Sequence, residues 1–152
     1  MNKLLILFFA TILSCTGTTA QKTSSMQNQA EILVSETQGG TEKQGFRILN
    51  NRQELADEIK DRYTASRQSP IIETPAFPKD KKVVVYYMGT FSSGDHQVNE
   101  IKNISVKNNT LFIEIPEYES GGMAIQVMSN PWFVFSVPES YQFTSVQLKS
   151  SK

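Results

Sequence analysis

The sequence predicts a mainly-β fold of the α+β class, in which an antiparallel β-sandwich or small barrel packs against one α-helix. Three observations predict it. From Val83 onward, apolar residues alternate with polar ones in several short segments, and a period of two is typical of strands. These segments recur about every ten residues, with Gly, Asn or Pro between them. Only residues 51–63 show the periodicity of an amphipathic helix.

Two strands are predicted at the start of the domain. Residues 31–35 favour the first strand, and residues 44–49 favour the second, with Phe46 and Ile48 on one face. Residues 38–41 include two consecutive glycines, which suit a change of chain direction. We therefore expect these two strands to pair with each other.

The predicted helix carries its own start signal. Asn51 can cap its N-terminus, and Glu54 follows three residues later, as in a capping box. Leu55, Ile59 and Tyr63 recur every four residues and so share one face. Charged residues occupy most other positions. The helix is therefore expected to lie on the domain surface with these three residues in the core.

Residues 81–98 join a buried-type strand to a Gly-Ser loop and a second strand. Residues 83–88 are all apolar or aromatic, and three of them are valine, which predicts a strand covered on both faces. Gly89 permits a bend or a close backbone approach. Residues 92–96 are thus expected to form a loop held on a rigid base.

A hairpin and three further strands follow. Ile104 and Val106 alternate before residues 107–110, whose Asn-Asn centre suits a two-residue turn, and the return strand covers residues 111–115. More alternating apolar sets predict strands at residues 123–127, 133–137 and 141–148. The last set changes phase between Phe143 and Val146, which predicts a bulge there.

The N-terminus has the order of a secretory signal. Lys3 gives a basic start, residues 4–13 are rich in apolar side chains, and Ser14 precedes Cys15. This apolar stretch is too short to span a bilayer, which needs about 20 residues. Residues 12–15 resemble a bacterial lipobox, which implies cleavage before Cys15 and lipidation of its thiol. Alternatively, residues 18–20 would serve an ordinary signal peptidase and give a soluble secreted or periplasmic protein.

These signals divide the chain into three parts. Residues 1–14 are predicted to be a signal peptide, and residues 15–29 the lipidated cysteine with a flexible tether rich in Thr, Ser and Gln. Residues 30–152 are predicted to form a single β-rich domain. Because Cys15 is the only cysteine, that domain is expected to fold without an intramolecular disulfide.

Charge and composition argue against several classes of function. The chain has 15 basic and 15 acidic residues and no basic patch, so nucleic acid is not an expected partner. It has no second long apolar stretch, so the lipid is the only expected membrane contact. His96 is the only histidine, and no Gly-x-Ser-x-Gly motif occurs. We therefore expect neither an enzyme nor a cofactor or metal site.

Three segments carry a resemblance to a known family. They are Phe77-Pro78-Lys79-Asp80 running into the strand at residues 83–88, Gly89-Thr90-Phe91-Ser92-Ser93-Gly94 with the strand that follows, and Ser129-Asn130-Pro131-Trp132 with residues 133–138. Together they span residues 77–138, and they resemble the C-terminal domain of the PrcB family. The family usually has Gly-Gly-Tyr in the loop, whereas here Asp95 and His96 follow Gly94.

The PrcB family is named for a lipoprotein subunit of a spirochaete surface protease complex. The resemblance therefore implies a non-catalytic accessory subunit that binds and stabilises an exported protein partner, such as a protease. It also implies a location in the bacterial cell envelope, anchored by lipid to the outer membrane on its periplasmic or surface face.

Ten residues in three loops are candidates for contact with that partner. They are Ser92, Ser93, Gly94, Asp95 and His96 in the first loop, Gly121 and Gly122 in the second, and Asn130, Pro131 and Trp132 in the third. Trp132 has a second interpretation, as a ring that closes the end of the core.

Two other functions are compatible with the same loops. The glycine-rich loops and the Pro-Trp turn bear a distant likeness to chagasin-like inhibitors of cysteine proteases, although the diagnostic Asn-Pro-Thr-Thr-Gly-Tyr loop of those inhibitors is missing. Exposed tyrosine and tryptophan side chains would also suit a module that binds glycan or peptide.

Overall fold

A computed structural model describes residues 30–66, 73–94, 96–118 and 127–152. The elements along the chain are β1 (Glu31–Glu36), β2 (Gly45–Leu49), α1 (Arg52–Ser66), β3 (Lys81–Tyr87), β4 (Asn103–Lys107), β5 (Thr110–Pro116), β6 (Trp132–Pro138) and β7 (Ser145–Ser151). This content confirms the mainly-β prediction with one helix. The predicted signal peptide and tether lie outside the described residues, as does most of the strand predicted at residues 123–127.

The strands form two sheets. One has four strands in the order β1-β6-β3-β2, all antiparallel, and the other has three in the order β4-β5-β7. The sheets are separate and open, so the arrangement is a sandwich rather than a barrel. The prediction of antiparallel pairing throughout is wrong at one place, because β5 and β7 pair in parallel. After β5 the chain crosses to the four-stranded sheet, where it forms β6. It then returns as β7, which runs in the same direction as β5.

Two hydrophobic cores lie on opposite faces of the four-stranded sheet. The core between the sheets takes Val84 and Tyr86 from β3, whereas the core under the helix takes Val83 and Val85. β6 divides its residues in the same way, and both strands are therefore buried on two faces, as residues 83–88 predict. We call these two regions the sheet core and the helix core.

The predicted pairing of the first two strands is wrong. β1 and β2 form the two opposite edges of the four-stranded sheet, where Ile32 pairs with Phe135 of β6 and Ile48 pairs with Val84 of β3. The connection between them crosses the end of the sheet, because the Gly40 N–H donates to the Asn130 carbonyl at 2.8 Å. The polar Gly-Gly segment is thus a crossover, not a hairpin turn.

The second strand predicted after the Gly-Ser loop is also absent as a regular element. Residues 97–102 belong to neither sheet, and Val98 instead places its side chain in the sheet core. The Lys102 N–H donates to the Glu114 carbonyl at 2.8 Å, directly before β4 begins at Asn103. An apolar residue between polar neighbours is typical of a strand, but it occurs equally in an irregular segment that places one side chain in the core, as Val98 does here.

The bulge predicted near the C-terminus lies elsewhere. β7 begins at Ser145, and Phe143 belongs to the irregular segment before it, so the phase change marks the start of the strand. The register irregularity is found in β1 instead, between Ile32 and Val34. An extra residue there lets the edge strand follow the twist of β6.

Three local predictions are confirmed. The Asn51 Oδ1 caps the helix by accepting from the Glu54 N–H at 2.9 Å. The return bond lies one residue earlier than in a standard capping box, because the Glu54 carboxylate accepts from the Asn50 N–H at 3.0 Å, which holds the pKa of Glu54 below its usual value. Asn108 and Asn109 have φ of 51° and 57°, as the two-residue turn between β4 and β5 requires. The residues predicted to face the core are buried: Leu55, Ile59 and Tyr63.

Candidate functional site

Two of the predicted contact loops lie side by side at one end of the sandwich. The Phe91 N–H donates to the Ser129 carbonyl and the Ser129 N–H donates to the Phe91 carbonyl, both at 2.9 Å. The Met88 N–H donates to the Pro131 carbonyl at 3.0 Å. Residues 92–94 and the Asn130-Pro131 pair are therefore brought together, whereas the sequence alone left open which of the three loops share an end.

A third segment completes this end, which we call the loop end: residues 37–44, 88–94, His96 and residues 127–131. The Gln38 side chain donates to the Met128 carbonyl at 3.1 Å, and the Asn130 side chain donates to the Thr90 hydroxyl at 2.8 Å. Gly39 has φ of 97°, and a Cβ there would lie 2.5 Å from the carbonyl oxygen of Arg62. Hydrogen bonds between loops thus hold the loop end in one arrangement.

The Trp132 side chain does not belong to the contact surface. It is 1% exposed and packs in the helix core, edge-on to Tyr63 with 6.2 Å between ring centroids. Its indole N–H donates to the Gln38 carbonyl at 2.8 Å. As the first residue of β6, Trp132 points to the helix side of the sheet. Of its two interpretations, the structure supports the core role.

His96 is the centre of a stack of three aromatic rings. Phe91 lies on one face and Tyr118 on the other, each with 4.0 Å between ring centroids. The Nδ1 of His96 is 2.8 Å from the Ser93 hydroxyl oxygen. The stack therefore joins the Gly-Ser loop to the residues that follow β5, a connection that the sequence analysis did not predict.

Exposed apolar side chains concentrate at this end. Among the described residues, large apolar side chains are exposed at four positions, and three of them are Met128 (65%), Val127 (45%) and Tyr118 (39%). A Cβ placed on Gly94 would lie 3.6 Å from that of Val127, so the Gly-Ser loop borders this patch. Sequence reasoning missed the patch, because it assigned Val127 to a strand and did not single out Met128 or Tyr118.

Four predicted residues cannot be placed relative to this surface. Asp95, Gly121 and Gly122 lie outside the described residues, and so does Cys15, the predicted site of lipidation.

A second cluster of polar side chains surrounds Glu58, which is 3% exposed on the inner face of α1. One carboxylate oxygen accepts from Arg47 of β2 at 2.5 Å, and the other accepts from the Tyr87 hydroxyl of β3 at 2.7 Å. The Arg62 Nε lies 2.9 Å from Glu58 but does not direct its N–H at the carboxylate, so this contact is an ion pair only. Because Glu58 lies on α1 while Arg47 and Tyr87 lie on β2 and β3, these contacts hold the helix against the sheet.

The same cluster predicts a loss of stability in alkaline solution. Burial and the Glu58 carboxylate raise the pKa of Tyr87 to about 12, against about 10 in an unfolded chain. The folded state therefore keeps a proton that the unfolded state releases, and the free energy of unfolding falls as the pH rises from 10 to 12. In urea titrations between pH 8 and 11, Tyr87→Phe should reduce the steepness of this fall. An unchanged slope would contradict the assignment.

No group of three or more His, Cys, Asp or Glu side chains that could hold a metal ion occurs in residues 30–66, 73–94, 96–118 and 127–152. Nor does any helix within these ranges have the length and hydrophobicity to cross a membrane.

Comparisons with models of protein families, with curated proteins and with solved structures found no match to this chain.

Proposed function

We propose that this protein is a non-catalytic lipoprotein of the bacterial cell envelope, anchored through Cys15, that binds and stabilises an exported partner protein such as a protease. The observation that carries this proposal is the exposure of three large apolar side chains at or beside the loop end: Val127 next to Gly94, its neighbour Met128, and Tyr118 on the ring of His96. Apolar side chains that lie together on a surface are typical of sites that bind other proteins.

The construction of the loop end favours recognition. The loops are held by hydrogen bonds such as Gln38 to Met128 and Asn130 to Thr90. Loops that are already ordered lose little conformational entropy when they bind, so more of the contact energy contributes to affinity. A patch on ordered loops is therefore better suited to a stable complex than the same residues on a flexible segment.

The resemblance to the PrcB family supports the same proposal, since two of its three segments contribute to the loop end, through residues 89–94 and 129–131. A partner that binds only the folded form stabilises it by mass action. A lipid on Cys15 would hold the domain at the membrane and raise its effective concentration near a partner on the same surface.

Pull-down from detergent-solubilised membranes, with the tagged chain as bait and with crosslinking, tests the proposal. Wild type should recover a larger partner in constant proportion to the bait. Met128→Asp should reduce recovery by about tenfold or more, because an interface would bury the new carboxylate without a counter-charge. Met128 is 65% exposed, so this change should alter the free energy of unfolding by less than about 0.5 kcal/mol.

The matched control is Val106→Asp, which introduces the same charge at the exposed position of β4, near the opposite end of the sandwich. Recovery with this variant should equal that of wild type. Cys15→Ala should move the bait from the membrane fraction to the soluble fraction. Recovery of the bait alone, or equal loss of the partner in both aspartate variants, would contradict the proposed surface.

A further inference from the structure

A cavity of about 300 Å³ opens beside the aromatic stack. Its apolar lining includes Met88 directly after β3, Val98 in the segment before β4 and Ile115 near the end of β5, all of which are buried. His96 and Tyr118, the last two rings of the stack, also line it. This volume is at the lower end of the range of ligand sites and suits a single side chain better than a large ligand.

Among the described residues that line the cavity, the charged side chains have one sign. Glu100 and Glu117 are both exposed there, and none of these described lining residues is Lys or Arg. Within the described residues, neither carboxylate forms an ion pair. Lys102 is close in sequence, but its ammonium donates to the Ser151 carbonyl at 3.0 Å. The cavity therefore combines an apolar lining and an aromatic wall with carboxylates whose charge is not compensated.

We propose that this cavity binds a lysine or arginine side chain of the partner protein, an inference that rests on the proposed function and identifies what that surface recognises. The aliphatic stem of such a side chain would lie against Met88, Val98 and Ile115, because long cationic side chains bury their methylenes along apolar surface. The charged end would lie near Glu100 and Glu117. The face of an aromatic ring such as Tyr118 also attracts a cation.

Charge complementarity selects this occupant over the alternatives. An acidic side chain would be repelled by both carboxylates. A neutral apolar side chain would fill the lining but would gain nothing from Glu100 and Glu117. A basic side chain satisfies both parts of the cavity, and arginine is enriched among the residues that contribute most to binding in protein interfaces.

The test uses small probes, so it does not depend on identifying the partner. The full chain in neutral detergent is titrated with N-acetyl-lysine methylamide and, separately, with N-acetyl-norleucine methylamide, which has a similar stem but no charge. Binding is followed by amide NMR. The lysine probe should shift the amides of residues 97–100 and 117–118, and should bind about fivefold more tightly than the norleucine probe.

Matched variants separate the two carboxylates from general charge effects. The double variant Glu100→Gln and Glu117→Gln should weaken binding of the lysine probe about fivefold. Glu139→Gln, at the opposite end of the sandwich, should leave it unchanged. Equal binding of both probes, shifts outside the cavity, no shift, or unchanged binding in the double variant would overturn the inference. Such a failure leaves the pull-down result unaffected, so the two proposals fail separately.

Discussion

Replacing Trp132 with alanine is expected to lower the free energy of unfolding by about 4 kcal/mol. The side chain is 1% exposed, contacts the ring of Tyr63, and donates its indole N–H to the Gln38 carbonyl. Alanine would leave a large cavity in the helix core and an unpaired carbonyl at the loop end. Because small domains are stable by only about 5–15 kcal/mol, this variant should be near the limit of folding. Urea denaturation followed by circular dichroism measures the change.

One further variant measures the part of this loss that comes from the hydrogen bond, and another serves as a control. Trp132→Phe keeps a ring but removes the N–H donor, and should cost about 1–2 kcal/mol. Phe112→Ala is the control, because that ring is only partly buried and has the Lys149 ammonium 4.1 Å above it on the outer face of the three-stranded sheet. It should cost about 1 kcal/mol. A stable Trp132→Ala variant that no longer binds the partner would show that Trp132 is a contact residue instead.

The features that sequence analysis predicted well have causes within a few residues of each other. Asn51 and Glu54 form a cap because they lie three positions apart at the start of a helix. Asn108 and Asn109 form a turn because asparagine tolerates positive φ. Residues 83–88 are all apolar or aromatic and offer no charged face to water, so β3 is central. In each case the deciding physics is local, or depends only on burial.

The pairing of strands could not be predicted in this way. β1 and β2 have the hydrophobicity of edge strands, but nothing in their residues selects β6 or β3 as partner. The choice depends on the Gly39-Gly40 crossover, where a Cβ on Gly40 would lie 2.6 Å from the Asn130 carbonyl oxygen. That contact joins residues 90 positions apart. The parallel pairing of β5 with β7 is also decided by distant parts of the chain, since β6 lies between them in sequence but in the other sheet.

The candidate site was only partly predictable. The Gly-Ser loop and the Asn130-Pro131 pair were predicted as contact loops from their own residues, but the pairing of β3 with β6, which brings them together, was not. Tyr118 and Met128 were missed, because exposed apolar side chains resemble core residues in sequence. Glu58 was also missed, although its i,i+4 spacing to Arg62 was a usable signal.

Glu58→Ala is expected to destabilise the protein by about 3 kcal/mol. Removing the carboxylate leaves the Tyr87 hydroxyl without its acceptor and the largely buried Arg62 guanidinium without a counter-charge. Arg47 contributes less, because its side chain is 55% exposed and water can replace the carboxylate. Glu58→Gln retains the volume and one acceptor oxygen but no charge, so it should cost about 1–2 kcal/mol. Urea denaturation at pH 7 measures both.

Asp61→Ala is the matched control, since it removes an exposed carboxylate from the same helix and should change the free energy of unfolding by less than about 0.5 kcal/mol. The difference in unfolding free energy between Glu58→Ala and Asp61→Ala therefore measures the effect of removing a buried carboxylate rather than an exposed one. If Glu58→Ala proves as stable as Asp61→Ala, the packing of Leu55 and Ile59 alone holds the helix on the sheet. A large loss would instead show that the buried carboxylate is needed wherever the two cationic side chains remain.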